Sequence, residues 1–195
     1  RRWDWKPPVL ISPLHEAHKN WVVFPEPIAG RFAVLHGISP GIMIDYHEAL
    51  DFDAGEHIAS HYACSGRDDA WDNRLRGAGP PPIKTPAGWL LLYHAMDRRD
   101  PGRYKLGAML LDLYDPCRIL GRLAHPLLEP DERYENEGLK SGVIYACGAV
   151  VSGGLLHVYY GGADTVVCAG TVPLDSLLAE LLPAARPAPS SRTRR

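Results

Sequence analysis

The chain has 195 residues, 46% hydrophobic and 23% charged, with a formal net charge of -2. This composition fits one globular domain and excludes a disordered or fibrous chain. The charge gives no long-range attraction to nucleic acid or to an acidic membrane, and no apolar run of about 18 residues is available to span a bilayer.

Cys64, Cys117, Cys147 and Cys168 form no CxxC pair. That pattern predicts neither a disulfide framework nor a zinc site and points to a reducing, cytoplasmic setting. The chain opens on Arg1 and Arg2, has no methionine before Met43 and shows no signal segment.

Residues 21–24 read as a strand closed by Pro25 and a turn at Ala29 and Gly30. From Gly30 a design begins that recurs twice. Residues 30–50, 88–113 and 154–177 each run from a turn glycine through an aromatic-rich strand into a small-residue strand, with the glycines 58 and 66 residues apart. Self-similarity at such a period predicts blades of a β-propeller, because one blade alone cannot cover both of its faces.

Residues 71–85, WDNRLRGAGPPPIKT, read as a rigid loop without regular pairing whose end, 82–85, forms one arm of the second hairpin. Gly77 and Gly79 allow close backbone approach there, while Pro80, Pro81 and Pro82 remove donors and stiffen the chain. The strands at 89–94 and 104–112 flank a polar loop at 97–103, expected to be exposed. The Asp-Pro turn in LYDPCRILGR precedes a short outer strand. Residues 144–151 supply the third arm.

Only the chain end reads as helical. After Pro173, Leu174, Leu177, Leu178, Leu181 and Leu182 share one face, as a cap on the last blade or alternatively as a partner-binding helix. The Pro, Ala, Ser and Arg of residues 183–195 predict a disordered tail after a domain at 1–182. The expected class is all-β: an incomplete propeller of about three blades with a short C-terminal helix, where closure takes about four to eight blades. The missing blades predict that the chain is the C-terminal part of a longer protein.

Two segments carry candidate chemistry. Arg74, Arg76 and Lys84 bring cations to the 71–85 segment beside His94, so that it reads either as an oxyanion or sugar site or as a connection with solvated charges. In YYGGADT, Asp164 either accepts hydrogen bonds from sugar hydroxyls or only shapes a turn. His36 and His94 fall at matching strand ends, with Tyr159 and Tyr160 at that level in the third copy, and the level is expected to face one common cavity. There is no HExxH, paired-cysteine set or acidic calcium loop to hold a metal, and no GxSxG or phosphate-cradling GxxxxGK[ST].

At KNWVVFPEPIAGRFAVLH, GAGPPPIKTPAGWLLLYH, YKLGAMLLDLYDP, LLEP, CGAVV and YYGGADT, across roughly residues 19–182, the chain resembles glycoside hydrolase family 130, the β-mannoside phosphorylases and related mannosidases. The resemblance implies a five-bladed β-propeller whose central pocket binds a β-mannoside oligosaccharide. Inorganic phosphate, as co-substrate, attacks the anomeric carbon and releases α-mannose 1-phosphate. No metal or organic cofactor is implied.

By the same resemblance His94 and Lys19 are phosphate-binding, and Lys84, Tyr104 and Asp164 are substrate-binding. Arg76, from the basic segment, joins the substrate-binding set. A family arginine is expected directly after the Leu-His pair of the first copy, where this chain has Gly37. Its loss removes a bidentate clamp on phosphate, for which Lys19 is a weaker point charge.

That departure favours the alternative of an inverting β-mannosidase, in which a carboxylate activates water. Glu48, Asp51, Asp53 and Glu56 lie near the altered segment, but none matches a family motif. The general acid implied is an aspartate in an EDPR-like segment, which this sequence lacks. It is expected upstream, and the chain alone is expected to be nearly inactive. A third reading is a non-catalytic carbohydrate-binding propeller, and a homo-oligomer is compatible with all three.

Overall fold

Three hairpins form where the repeated design predicts them, each within its own antiparallel sheet. The computed structural model describes residues 3–37, 41–59 and 62–182. The first sheet has the order β1-β2-β3-β4, from Val22–Val23 (β1), Phe32–His36 (β2), Gly41–His47 (β3) and Tyr62–Ser65 (β4). The second comprises Arg74–Ala78 (β5), Ile83–Thr85 (β6), Gly88–Asp97 (β7), Asp100–Leu111 (β8) and Ile119–Arg122 (β9), with β5 and β6 on the same edge of β7. A one-turn helix, Arg133–Asn136 (α1), precedes the third sheet, Ile144–Ser152 (β10), Leu155–Gly162 (β11) and Val166–Pro173 (β12), and Leu174–Leu181 (α2) ends the described chain.

The apolar run GWLLLYHAMD makes sense because the middle sheet is covered on both faces. Side chains alternate along a strand. Trp89, Leu91, Tyr93 and Ala95 therefore enter one core with Ala33, Leu35, Ile42 and Ile44 of the first sheet. Leu90 and Leu92 enter a second core with Leu156, Val158 and Tyr160 of the third sheet and Leu177 and Leu181 of α2. The three sheets thus stack face to face in chain order. Buried Asp72 pins the first interface, accepting hydrogen bonds from Arg67 Nε (2.9 Å) and Tyr93 Oη (2.7 Å) with Arg122 Nη1 at 3.4 Å.

Several expectations are corrected here. Residues 71–85 are largely paired: β5 lies against β7 with a bulge between Leu75 and Gly77, Gly79 N donates to Leu92 O (2.9 Å), and β6 continues along the same edge. The prolines interrupt an inner strand without abolishing it. The polar loop expected at 97–103 is a tight turn, because β7 runs on to Asp97 and β8 starts at Asp100.

Asp97 is buried and accepts from the backbone N–H of Arg99 and from Asn73. The Arg99 guanidinium also bonds its carboxyl and holds it well below the usual carboxylate range. Helix is not confined to the chain end, since α1 forms around buried Glu135, whose carboxylate accepts from the N–H groups of Asp131 and Glu132. The helix after Pro173 is present, but it packs against β8 and β9 of the middle sheet as well as β12. The tail at 183–195 lies outside the described residues.

Candidate active site

The inner edges of the three sheets meet at Asn20. Its backbone is left-handed (φ 55°), a conformation asparagine tolerates better than most residues. Its Nδ2 donates to Arg76 O of β5, and its Oδ1 accepts from Tyr145 Oη of β10, both at 2.7 Å. Gly77 (φ 137°) faces this amide, and a Cβ there would sit 1.9 Å from Nδ2. Asn20 and Gly77 therefore depend on each other.

Lys19, Asn20, Arg76, Tyr104, Lys140, Val143, Tyr145 and Asp164 line a cavity of about 340 Å³ beside this knot. Asn20 and Tyr145 also line a neighbouring cavity of about 400 Å³ between the three inner strands. The lining of the first holds three cations, Lys19, Arg76 and Lys140, and one carboxylate, Asp164. Arg76 Nε is buried without a partner, and the guanidinium lies 6.0 Å from the Tyr104 ring centroid. Burial pushes the Tyr104 hydroxyl up to about 12 against the opposing pull of Arg76, so it remains a donor at neutral pH.

Asp164 sits in a turn of stored strain. Ala163 and Asp164 are both left-handed, at φ 48° and 51°, where Thr165 N bonds Gly162 O (3.0 Å). Each such residue costs about 1–2 kcal/mol. The turn is anchored from outside by Ala163 N to Val143 O (2.9 Å). Its effect is to hold the Asp164 carboxylate at the cavity wall.

The expected common cavity at the level of His36, His94 and the paired tyrosines does not form, because these residues lie on second strands behind the inner ones. Buried His36 contacts Asp45 Oδ2 through Nε2 (2.6 Å) and His18 Nδ1 through Nδ1 (2.8 Å), and His18 Nε2 meets Glu16 Oε2 (2.8 Å). Tyr160 donates to Glu135 Oε1 (2.7 Å). His94 is wholly buried behind Tyr145 and Tyr104, with ring centroids at 4.4 and 5.4 Å. Its Nε2 accepts from Ala146 N (2.9 Å) and its Nδ1 has no hydrogen bond. Burial pushes its pKa down to about 3, against a smaller pull from the Ala78 backbone, so the ring is neutral.

Of the residues singled out in the sequence, the cavity thus gathers Lys19, Arg76, Tyr104 and Asp164. It does not gather Lys84, which pairs with Glu26 and lies over Trp89. Lys84 stands opposite Trp89, whereas Arg76 lies opposite His94 and Ala95, roughly 17–20 Å further along the strand. Gly37 occupies a left-handed conformation (φ 113°) in which a Cβ would meet Gly41 O at 3.1 Å, so an arginine there is strained. Asn20 and Lys140 were not singled out; a lone lysine in a loop carries no periodic signal, while the Lys-Asn-Trp run holds the one hint for Asn20.

A larger cavity, about 710 Å³, lies between the N-terminal segment and the first sheet, but its lining is mostly apolar and excludes these residues. Among the described residues no group of three or more His, Cys, Asp or Glu is placed to hold a metal, and no helix is long and apolar enough to cross a membrane.

A family model described as beta-1,4-mannooligosaccharide phosphorylase matches residues 14–181. The chain belongs to glycoside hydrolase family 130. Within family 130 it is 39% identical over 165 residues to a 1,2-beta-oligomannan phosphorylase of Thermoanaerobacter sp. (strain X514), covering 84% of this chain and 53% of that protein. It is also similar to the beta-1,2-mannobiose phosphorylase of Listeria innocua in complex with beta-1,2-mannobiose. That match has 37% identity and a TM-score of 0.73, over 84% of this chain and 46% of the other.

A third structure, from work on family-130 hydrolases that target beta-1,2 mannosidic linkages in Candida mannan, is 24% identical and shares the fold at a TM-score of 0.65. It covers 88% of this chain and 52% of the other. The chain spans about half the length of the relatives it matches.

Proposed function

We propose that the chain contributes three consecutive blades of a five-bladed β-propeller to a phosphorylase acting on a β-1,2-linked mannoside. The observation that carries this reading is the convergence of Lys19, Arg76, Tyr104 and Asp164 on one cavity where cations outnumber carboxylates. Lys19 and the Arg76 guanidinium hold inorganic phosphate by charge-assisted hydrogen bonds. Asp164 accepts from sugar hydroxyls, and the Tyr104 hydroxyl donates to the sugar. His94, neutral and enclosed, acts through the two tyrosines it supports. The β-1,2 linkage follows the relatives at 39% and 37% identity.

In the reaction a phosphate oxygen bonds to the anomeric carbon as the glycosidic carbon–oxygen bond breaks, and the departing oxygen takes up a proton. Among the described residues Asp164 is the only carboxylate lining the cavity, and it is kept for sugar binding. No described residue is assigned as the acid. Phosphate is a co-substrate, and the reaction needs no organic cofactor.

The strain that an arginine at position 37 would meet favours a second reading, hydrolysis on the same fold. Titrating the chain with inorganic phosphate and with β-1,2-mannobiose, followed by NMR, tests the first. Saturable shifts at Lys19, Arg76, Tyr104 and Asp164 with both ligands are expected. Mannobiose binding without any phosphate binding would favour the hydrolytic reading, and binding of neither would sink both.

A further inference from the structure

Lys140 was not singled out by any sequence motif, yet it lines the same cavity as Lys19, Arg76 and Asp164. Its backbone is built into the site. Lys140 N donates to Ala163 O (3.0 Å), and the next residue back, Leu139, donates its N–H to Thr165 Oγ1 (2.9 Å). Two residues on, Gly142 N donates to Glu135 O (3.1 Å) while Gly142 O accepts from Tyr104 N (2.8 Å). The lysine therefore hangs from a segment tied directly to the strained Asp164 turn and to Tyr104.

The base of that segment is fixed by Glu135. This buried carboxylate accepts from two backbone N–H groups and from the Tyr160 hydroxyl, so three bonds hold it without drawing on Lys140. Among the described residues Lys140 makes no ion pair, and neither do Lys19 and Arg76. A lysine that only decorated a loop would have no reason to share a wall with two other unpaired cations. Together the three exceed the single carboxylate by two charges, which suits an oxyanion carrying roughly two negative charges.

We propose that Lys140 is a phosphate-binding residue, supplying from the segment before β10 the charge that Gly37 does not supply from the end of β2. The inference rests on the phosphorylase reading and adds a residue to it. Its ammonium is a point charge on a flexible stem, so it neutralises phosphate without the two-pronged geometry of a guanidinium.

The test measures binding of inorganic phosphate to the chain by calorimetry, for wild type, Lys140→Met and Lys140→Arg. Thermal unfolding of each variant checks that it is folded. Lys140→Met is expected to weaken phosphate binding at least about tenfold, equivalent to about 1.4 kcal/mol, and to flatten its salt dependence. Lys140→Arg should stay within about threefold of wild type, and binding of β-1,2-mannobiose in phosphate-free buffer should be unchanged in both.

Phosphate binding by Lys140→Met as tight as by wild type overturns the proposal and leaves the phosphorylase reading standing. A loss of mannobiose affinity with phosphate affinity intact also overturns it and moves Lys140 to the sugar. If wild type binds no phosphate, the proposal and the reading beneath it fall together.

Discussion

His36 and His94 stand near the ends of the second strands of adjacent sheets, and each lies flat against an aromatic ring. Trp21 stacks on His36 at 4.5 Å and 9°, and Tyr145 stacks on His94 at 4.4 Å and 8°. Both rings are buried. What differs is the partner of Nε2. His36 meets a carboxylate there, so Nε2 carries a proton; His94 accepts a backbone N–H there, so its proton sits on Nδ1. Equal burial and stacking thus leave the tautomer to the hydrogen-bond partner.

The same difference sets how far each ring is networked. Glu16, His18, His36 and Asp45 form three consecutive contacts with carboxylate acceptors at both ends. His36 is therefore tied through both ring nitrogens, one of them to a buried carboxylate. His94, enclosed by aromatic rings and backbone, has no such partner and stays neutral.

The largest expected effect breaks the networked half of this pair. Asp45→Ala leaves the His36 Nε2 donor buried without its acceptor, and should cost about 2–3 kcal/mol in denaturant unfolding at pH 7. A loss under about 0.5 kcal/mol would mean that His36 does not depend on its carboxylate partner.

His94 yields the next effect, through pH. Folded, its ring stays neutral to about pH 3, whereas in the unfolded chain it binds a proton near its ordinary value of 6.5. Between those values the unfolded state holds the extra proton. Its contribution is complete above about pH 6.5 and is lost as pH falls toward 3, by up to about 1.4 kcal/mol per pH unit. His94→Gln keeps an acceptor for Ala146 N and should flatten that slope in urea melts taken at steps from pH 7 to 4. An unchanged slope would show that other groups carry it.

These contacts mark where the sequence could be read and where it could not. The hairpins were legible because a turn glycine followed by apolar runs has few solutions, and α2 because its leucines recur at helical spacing. β5 was not, because RLRGA is an edge strand interrupted by a bulge and carries two arginines, so it shows no apolar alternation. β4 is a short outer strand with little to distinguish it, and α1 is a single turn held by one buried glutamate.

At the site, Asp164 was legible as a turn aspartate after two glycines. Lys84 misled because a one-dimensional cluster hides register: β6 pairs with the start of β7 and Arg76 with its far end. The tautomers of His36 and His94 depend wholly on tertiary partners.

Asn20 bridges the two histidine neighbourhoods, following Lys19 and preceding Trp21, and its side chain holds the Tyr145 that stacks on His94. Asn20→Ala removes both of its side-chain bonds and places alanine in a left-handed conformation. A loss of about 1–3 kcal/mol is expected, with faster amide exchange at Tyr145 and Ala146. Asn20→Gly relieves the backbone and should recover part of the stability but not the protection. Full recovery of both would mean that conformation alone, and no bridge, is what Asn20 provides.

The smallest effect lies at the outer end of the chain of contacts through His36. Glu16 is 61% exposed at its side chain whereas Asp45 is 3% exposed, so water screens the first and not the second. Glu16→Gln keeps an oxygen for His18 Nε2 and removes only a solvated charge, which should cost under about 0.5 kcal/mol at pH 7 and less in high salt. A double-mutant cycle with Asp45→Ala then tells whether the two ends communicate. Coupling below about 0.5 kcal/mol confines the effect to the buried end, where Asp45 holds His36. Coupling above about 1 kcal/mol would show that both imidazoles act as one unit, and His36 would differ from His94 through a network and not through one carboxylate.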